Sequence, residues 1–175
     1  MRLILLSETY ARSSTPLPEN RDDRRWFARA YPKRLMAEVL SDAITDVTGV
    51  RERYTETLLA DGSTQKLEGQ DADSRALQLK DSTVKNYFLE TFGRNAREIT
   101  CECERSSQPS LVQVLHLSNG TTLNDKLAAK AGRITQILAT DPQPGELIET
   151  AWVLALSRKP TAAERKPFED MLAAA

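Results

Sequence analysis

Between Lys33 and Thr48 apolar residues return every three or four positions, at Leu35, Met36, Val39, Leu40, Ala43, Ile44 and Val47. That period lays them along one stripe of an α-helix, whereas a strand would throw alternate residues onto opposite faces. Pro32 suits the first turn of this helix and Gly49 its left-handed cap. The same period recurs along the chain. Leu3, Leu6 and Tyr10 suggest a helix over 2–12, ended by Ser13-Ser14-Thr15-Pro16-Leu17-Pro18. Val84, Tyr87, Phe88, Leu89 and Phe92 suggest another, capped by Asp81 or Ser82 and stopped at Gly93. Leu123, Leu127 and Ala128 carry a helix from Thr121 or Thr122 to a cap at Gly132, and Ile134, Ile137 and Leu138 belong to a further one or to a continuation beyond a bend at the glycine.

Asp141-Pro142-Gln143-Pro144-Gly145 is a firm break. It precedes a helix over 145–157 with a wide apolar face of Leu147, Ile148, Ala151, Trp152, Ala155 and Leu156. Thr161 with Glu164 forms a capping box for the last helix, which is expected to bury Phe168, Met171 and Leu172 and to kink or break at Pro167. Only from Val50 to Lys80 does the periodicity fade. There Ala60-Asp61-Gly62-Ser63 is a turn signal between Tyr54–Leu59 and Thr64–Leu67, where a short hairpin fits. With no credible set of alternating strands, the expectation is an all-α irregular bundle of about six to eight helices, with one irregular or hairpin excursion around 50–80. A length of 175 residues suits a single domain over 1–175.

Charge narrows the partners. Lys and Arg number 24 against 25 Asp and Glu, so no global field draws the chain to nucleic acid or an anionic surface. Nucleic acid is not expected as the main partner. No apolar run approaches the ~20 residues that span a bilayer. The opening Arg2-Leu3-Ile4-Leu5-Leu6 is interrupted by Glu8, Tyr10 and Arg12, so it reads as a helix cut from a longer parent chain rather than a signal peptide.

One local patch departs from the balance. Arg21, Arg24, Arg25, Arg29, Lys33 and Arg34 interleave with Trp26, Phe27 and Tyr31. Such a mixture can bind polyanions with stacking aromatics. Alternatively the aromatics enter the core while the arginines pair with Glu19, Asp22, Asp23 and Glu38. The near balance of acids and bases favours the second reading.

Chemistry concentrates between Arg97 and Gly120, which hold both cysteines, Cys101 and Cys103, and the single histidine, His116. Cys101-Glu102-Cys103-Glu104 offers two soft and two hard ligands, and with His116 these groups could hold zinc. Yet Cys-x-Cys has no matching second pair. A redox pair would need one thiol exposed with a lowered pKa, from Arg105 or from a helix starting near Ser107. In an extended segment, period two instead puts both thiols on one side as small buried hydrophobes and turns Glu102 and Glu104 the other way, and this is the favoured reading. Ser107 and Pro109 suit the start of a helix to Leu117, with Leu111, Val112, Val114 and Leu115 as core candidates and His116 near its end as a structural polar residue. A single histidine supports no hydrolase triad, and glycine-rich phosphate loops are lacking. No cofactor is implied.

Several motifs stand in fixed order: Tyr31-Pro32-Lys33-Arg34-Leu35-x-Ala37-Glu38-Val39-Leu40-x-Asp42-Ala43-Ile44, Tyr87-Phe88-Leu89-x-x-Phe92-Gly93-Arg94 and Cys101-Glu102-Cys103-Glu104-Arg105-Ser106. Pro109-Ser110-Leu111, His116-Leu117-x-Asn119-Gly120 and Ala155-Leu156-Ser157-Arg158-x-Pro160-Thr161 complete the series. Together they resemble the DUF1553 family, also called the planctomycete PSD1 domain. The resemblance implies the C-terminal region of a large exported bacterial protein, behind a DUF1549 domain and often a cytochrome c-like domain. It brings no catalytic residues, and no Cys-x-x-Cys-His haem sequence is present. The expectation is a non-catalytic helical interaction or scaffold module, in which Arg105 pairs with Glu102, Glu104 or a helix carboxylate. The alternative is a metal-dependent or redox-active module, of polysaccharide-related chemistry, using Cys101 to Glu104 and His116.

Overall fold

In the computed structural model, which describes residues 1–68, 72–80, 83–94 and 108–174, the helix of strongest period runs Ala37–Thr48 (α2, after a short α1 at Arg2–Leu5) and ends at Gly49 with φ 71°. It starts later than its apolar pattern suggests, and the difference has a physical cause. The face that turns inward carries Ala37, Glu38, Ser41 and Asp42, while Leu35 and Met36 are exposed. Helix α2 is thus held by polar groups with distant partners as well as by Leu40 and Ile44, which pack on the core.

The chain divides into two compact units, Met1–Leu35 and Met36–Ala175. In the first, the helix expected over 2–12 shrinks to α1, none of whose residues is buried. The Ser7 hydroxyl donates to the Ile4 carbonyl at 2.8 Å and helps end it. A helix this short without buried residues lacks the packing that sustains most protein helices. A 3-10 turn at Pro18–Asn20 follows, with the Leu17 N–H donating to Asn20 Oδ1 at 2.8 Å.

In the second unit the expected hairpin is present. Strands Glu56–Leu58 (β1) and Thr64–Lys66 (β2) pair antiparallel, Thr57 opposite Gln65. Gly62 takes φ 82° in the turn, which a side chain would resist, and Asp61 Oδ1 accepts the Ser63 N–H and hydroxyl. Thr57 also bridges to Val84, so Val84 lies in extended chain rather than on a helix. Helix α3 accordingly starts late, at Tyr87–Thr91, where Asn86 Oδ1 accepts the Leu89 N–H at 3.0 Å. The caps suggested for it at Asp81 or Ser82 lie outside the described residues. Around α3 the core gathers: Ala37, Tyr54, Ala76, Val84, Phe88, Leu89 and Phe92, with Phe88 and Phe92 stacked at 4.3 Å.

Helix α4 spans Leu111–Asn119 and is capped by Ser110 with Gln113, not by Ser107, which lies outside the described residues; Pro109 precedes it. Helix α5 (Thr121–Ala128) ends before Gly132, which serves as the N-cap of α6 (Arg133–Leu138). Helix α7 (Pro144–Leu156) begins one residue before the expected 145, on the proline at its first position, and ends at Ser157 in the left-handed region. Helix α8 (Ala162–Ala173) carries the expected Thr161–Glu164 box and runs through Pro167 unbroken. The missing Pro167 donor leaves the Ala163 carbonyl without its helical bond, but Ala163 is exposed and water can satisfy it. Trp152 and Phe168 meet edge to face at 5.2 Å, while Met171 stays exposed. Among the described residues the fold is predominantly helical with one two-stranded sheet, and no helix is long and apolar enough to cross a membrane.

Candidate functional site

Of the residues that drew attention by their chemistry, Cys101, Glu102, Cys103, Glu104 and Arg105 lie outside the described residues. His116 is described. It stands on the last turns of α4, half-buried, its Nε2 3.1 Å from Thr122 Oγ1 at the start of α5. Three rings from the α3 region surround it, with centroids at 5.4 Å (Tyr87), 5.7 Å (Phe88) and 6.0 Å (Phe92). The turn into α5 is so tight that a Cβ on Gly120 would lie 2.2 Å from the His116 carbonyl oxygen. Among the described residues no carboxylate hydrogen-bonds the imidazole. The ring thus packs where α3, α4 and α5 meet.

The same joint explains which face of α4 turns inward. Gln113 is buried and donates to the Thr91 carbonyl at 2.8 Å, while its Oε1 accepts the Ser110 N–H at 3.0 Å. The apolar residues expected in the core face outward instead: Leu111 is 73% exposed, and Val112, Val114 and Leu115 are each more than half exposed.

Beside the aromatic core runs a chain of polar contacts, buried at Glu38, Asp42, Arg94 and Lys126 and exposed at Arg75 and Asp46. Asp42, 5% exposed, accepts the backbone N–H groups of Ala76 and Leu77 at 2.7 and 3.2 Å. Arg75 Nε lies 3.5 Å from the same carboxylate and its Nη2 bonds Asp46 at 2.6 Å. Arg94 Nε lies 3.8 Å from Glu38 Oε1, both side chains being more than nine-tenths buried. Lys126 Nζ reaches from α5 to Glu52 Oε2 at 3.0 Å and to the Val50 carbonyl at 2.9 Å, and Asn86 donates to the other Glu52 oxygen at 3.2 Å. Tyr54 sits among these groups. Burial, reinforced by the Glu52 and Asp42 charges, pushes its hydroxyl up to about 12. The Ser41 hydroxyl is near it but outside hydrogen-bonding geometry, and the Tyr54 hydroxyl has no partner among the described residues. Each of these charges meets an opposite charge or a backbone group, as a buried charge must to be tolerated. The arrangement ties α2, α3 and α5 together.

A cleft of about 920 Å³ opens elsewhere in the second unit, lined by Arg133, Gln136, Gln143, Glu146, Thr150 and Arg165 among others. None of the sequence-derived candidates lines it. Glu149 at its edge is held by Lys159 at 2.6 Å and Arg165 at 3.4 Å, and the Lys159 ammonium keeps that carboxyl below its ordinary range. Among the described residues no group of three or more His, Cys, Asp or Glu side chains could hold a metal ion.

Sequence reasoning missed the Glu38, Asp42, Glu52, Arg94 and Lys126 set. A faint signal existed, since Glu38 and Asp42 interrupt an otherwise apolar stripe four residues apart. No curated protein and no solved structure matches the chain. Residues 1–172 do match one family model, that of PSD1, a protein of unknown function (DUF1553), and the chain belongs to that family.

Proposed function

We propose that the chain is a non-catalytic helical interaction module of a larger exported protein, whose outward apolar faces dock on neighbouring domains, such as DUF1549 or cytochrome c-like domains, of the same polypeptide. The observation that carries the reading is α4. Its polar residues Gln113 and His116 face inward, and Leu111, Val112, Val114 and Leu115 are offered to the exterior. A contiguous apolar patch of this kind marks an interaction surface. The engagement of the buried charges with one another supports the non-catalytic part.

The test compares amide hydrogen exchange of residues 111–119 in the whole parent protein and in the 175-residue chain. Docking predicts slower exchange in the parent, reversed by Leu111→Glu with Leu115→Glu. Equal exchange in both would refute it. The rival reading, a metal or redox module built from Cys101, Glu102, Cys103, Glu104 and His116, requires stoichiometric metal or a thiol couple in purified protein. Both would vanish on replacing the two cysteines by serine.

A further inference from the structure

The basic, aromatic stretch of the first unit is built differently from the arrangement its acid-base balance favours. Trp26 and Phe27 do not enter a core: they are 76% and 65% exposed. Asp23 is held mainly by backbone donors, with the Arg29 charge a smaller influence on its carboxylate. Its Oδ1 accepts the backbone N–H groups of Arg25 and Trp26, both at 2.9 Å, and its Oδ2 accepts that of Ala28 at 3.1 Å. Arg12 Nη1 donates to the Phe27 carbonyl at 2.8 Å, and the Tyr31 hydroxyl donates to the Asp23 carbonyl. Phe27 is held at φ 53°, a conformation that bulky side chains avoid. The result is a tied loop with two aromatic rings at its apex.

Within and beside this loop in sequence are the exposed cations Arg21, Arg24, Arg25 and Lys33, with Arg25 over the Trp26 ring at 5.3 Å. The near-neutral total conceals this. Met1–Leu35 holds eight Lys or Arg against four Asp or Glu, and the rest of the chain sixteen against twenty-one.

We propose that the Asp23–Tyr31 loop is a membrane-surface anchor, which lays Trp26 and Phe27 into the interfacial region of an anionic lipid bilayer and sets the surrounding arginines against the headgroups. Two features select lipid over a dissolved polyanion. A loop gripping sulfate or phosphate would leave backbone N–H groups free to donate to the anion, but here three of them are taken by a carboxylate whose own charge repels anions. Conversely, a loop lying at an interface, half in an apolar medium, gains from having backbone groups bonded internally, and here Asp23 takes the N–H groups of Arg25, Trp26 and Ala28 while Arg12 and Tyr31 donate to the Phe27 and Asp23 carbonyls. Exposed rings in a loop flanked in sequence by exposed cations match what an interface selects, where aromatics sit at headgroup level and basic residues face anionic lipid.

The test is co-flotation of the full chain with vesicles of phosphatidylcholine mixed with phosphatidylglycerol, and with vesicles of phosphatidylcholine alone. A Trp152→Phe background leaves Trp26 as the one fluorescent indole. The expected result is binding to the anionic vesicles that weakens with salt, together with a blue shift of Trp26 emission. Removing both rings by Trp26→Ala with Phe27→Ala lowers the partition at least about tenfold. Arg24→Glu with Arg25→Glu leaves the rings in place but abolishes the preference for anionic lipid, and circular dichroism checks that both variants are folded. The proposal is overturned by failure to float with anionic vesicles, by flotation without a blue shift, or by undiminished binding of the ring-less variant. Retention on heparin or a single-stranded oligonucleotide without vesicle binding would assign the patch to a polyanion and also overturn it.

Discussion

Replacing Asp42 by alanine tests whether α2 is tied to the rest of its unit through backbone donors. The Asp42 carboxylate accepts two N–H groups at the 3-10 turn Ala76–Gln78, some thirty residues away in sequence. The Ala76 N–H is buried, so leaving it unsatisfied costs about 2 kcal/mol. The Leu77 N–H is only partly buried, and water can recover part of its bond, for a cost of about 1 kcal/mol. The Arg75 ion pair adds little, because the Arg75 side chain is half exposed and solvent screens it. Asp42→Ala should therefore destabilise by about 3 kcal/mol, which at this size is a drop in Tm of roughly 6 to 12 °C. Arg75→Ala should cost less than about 1 kcal/mol. Urea and thermal denaturation followed by far-ultraviolet circular dichroism measure both. If Asp42→Ala stays within about 0.5 kcal/mol of the parent, or Arg75→Ala costs as much, the capping argument is wrong.

Two further outcomes follow from the titrating groups. Tyr54 has no partner for its hydroxyl among the described residues, so Tyr54→Phe should leave stability within about 1 kcal/mol or raise it, as urea midpoints would show. Because its folded pKa of about 12 exceeds the ordinary 10.0, the parent should lose stability as pH rises from 10.0 toward 12; the phenylalanine variant should lack that component of the alkaline transition. Glu164 behaves oppositely: hydrogen bonds from the Arg158 guanidinium first, then from the Thr161 N–H and hydroxyl, lower its carboxyl from 4.5 to about 2. Its support for the start of α8 is complete above pH 4.5 and is lost as pH falls toward 2; Glu164→Gln should remove this acid step from an NMR titration of the α8 amides.

Much of the helical framework could be read from sequence where the signal is local. The break before α7, the Thr161–Glu164 box of α8, Gly49 after α2 and the Asp61-Gly62 turn each act within a few residues, and each stands where expected. What could not be read depends on partners far along the chain. Glu38 and Asp42 look like solvent-facing charges until Arg94 and the Ala76 amide are brought to them. Likewise, nothing local says that α4 will be seated by Gln113 and His116 while its leucines face out. The apolar count of that helix favours the reverse, and the distant Thr91 carbonyl and the three rings decide it. Of the chemical candidates, His116 stands near the end of α4 as its sequence position implies, and Cys101 to Arg105 lie outside the described residues.

The two terminal helices fasten chiefly to each other. Arg158 grips Glu164 with two bonds of 2.7 and 2.8 Å, Lys159 and Arg165 share Glu149, Arg165 reaches the Gly145 carbonyl, and Trp152 abuts Phe168. A hairpin clasped in this way opens and recloses as one cooperative segment, with its amides exchanging in step rather than fraying residue by residue from Ala174. Its hinge is Ser157, whose left-handed backbone sets the angle at which the chain doubles back, so that a glycine there would loosen the swing while a valine would jam it.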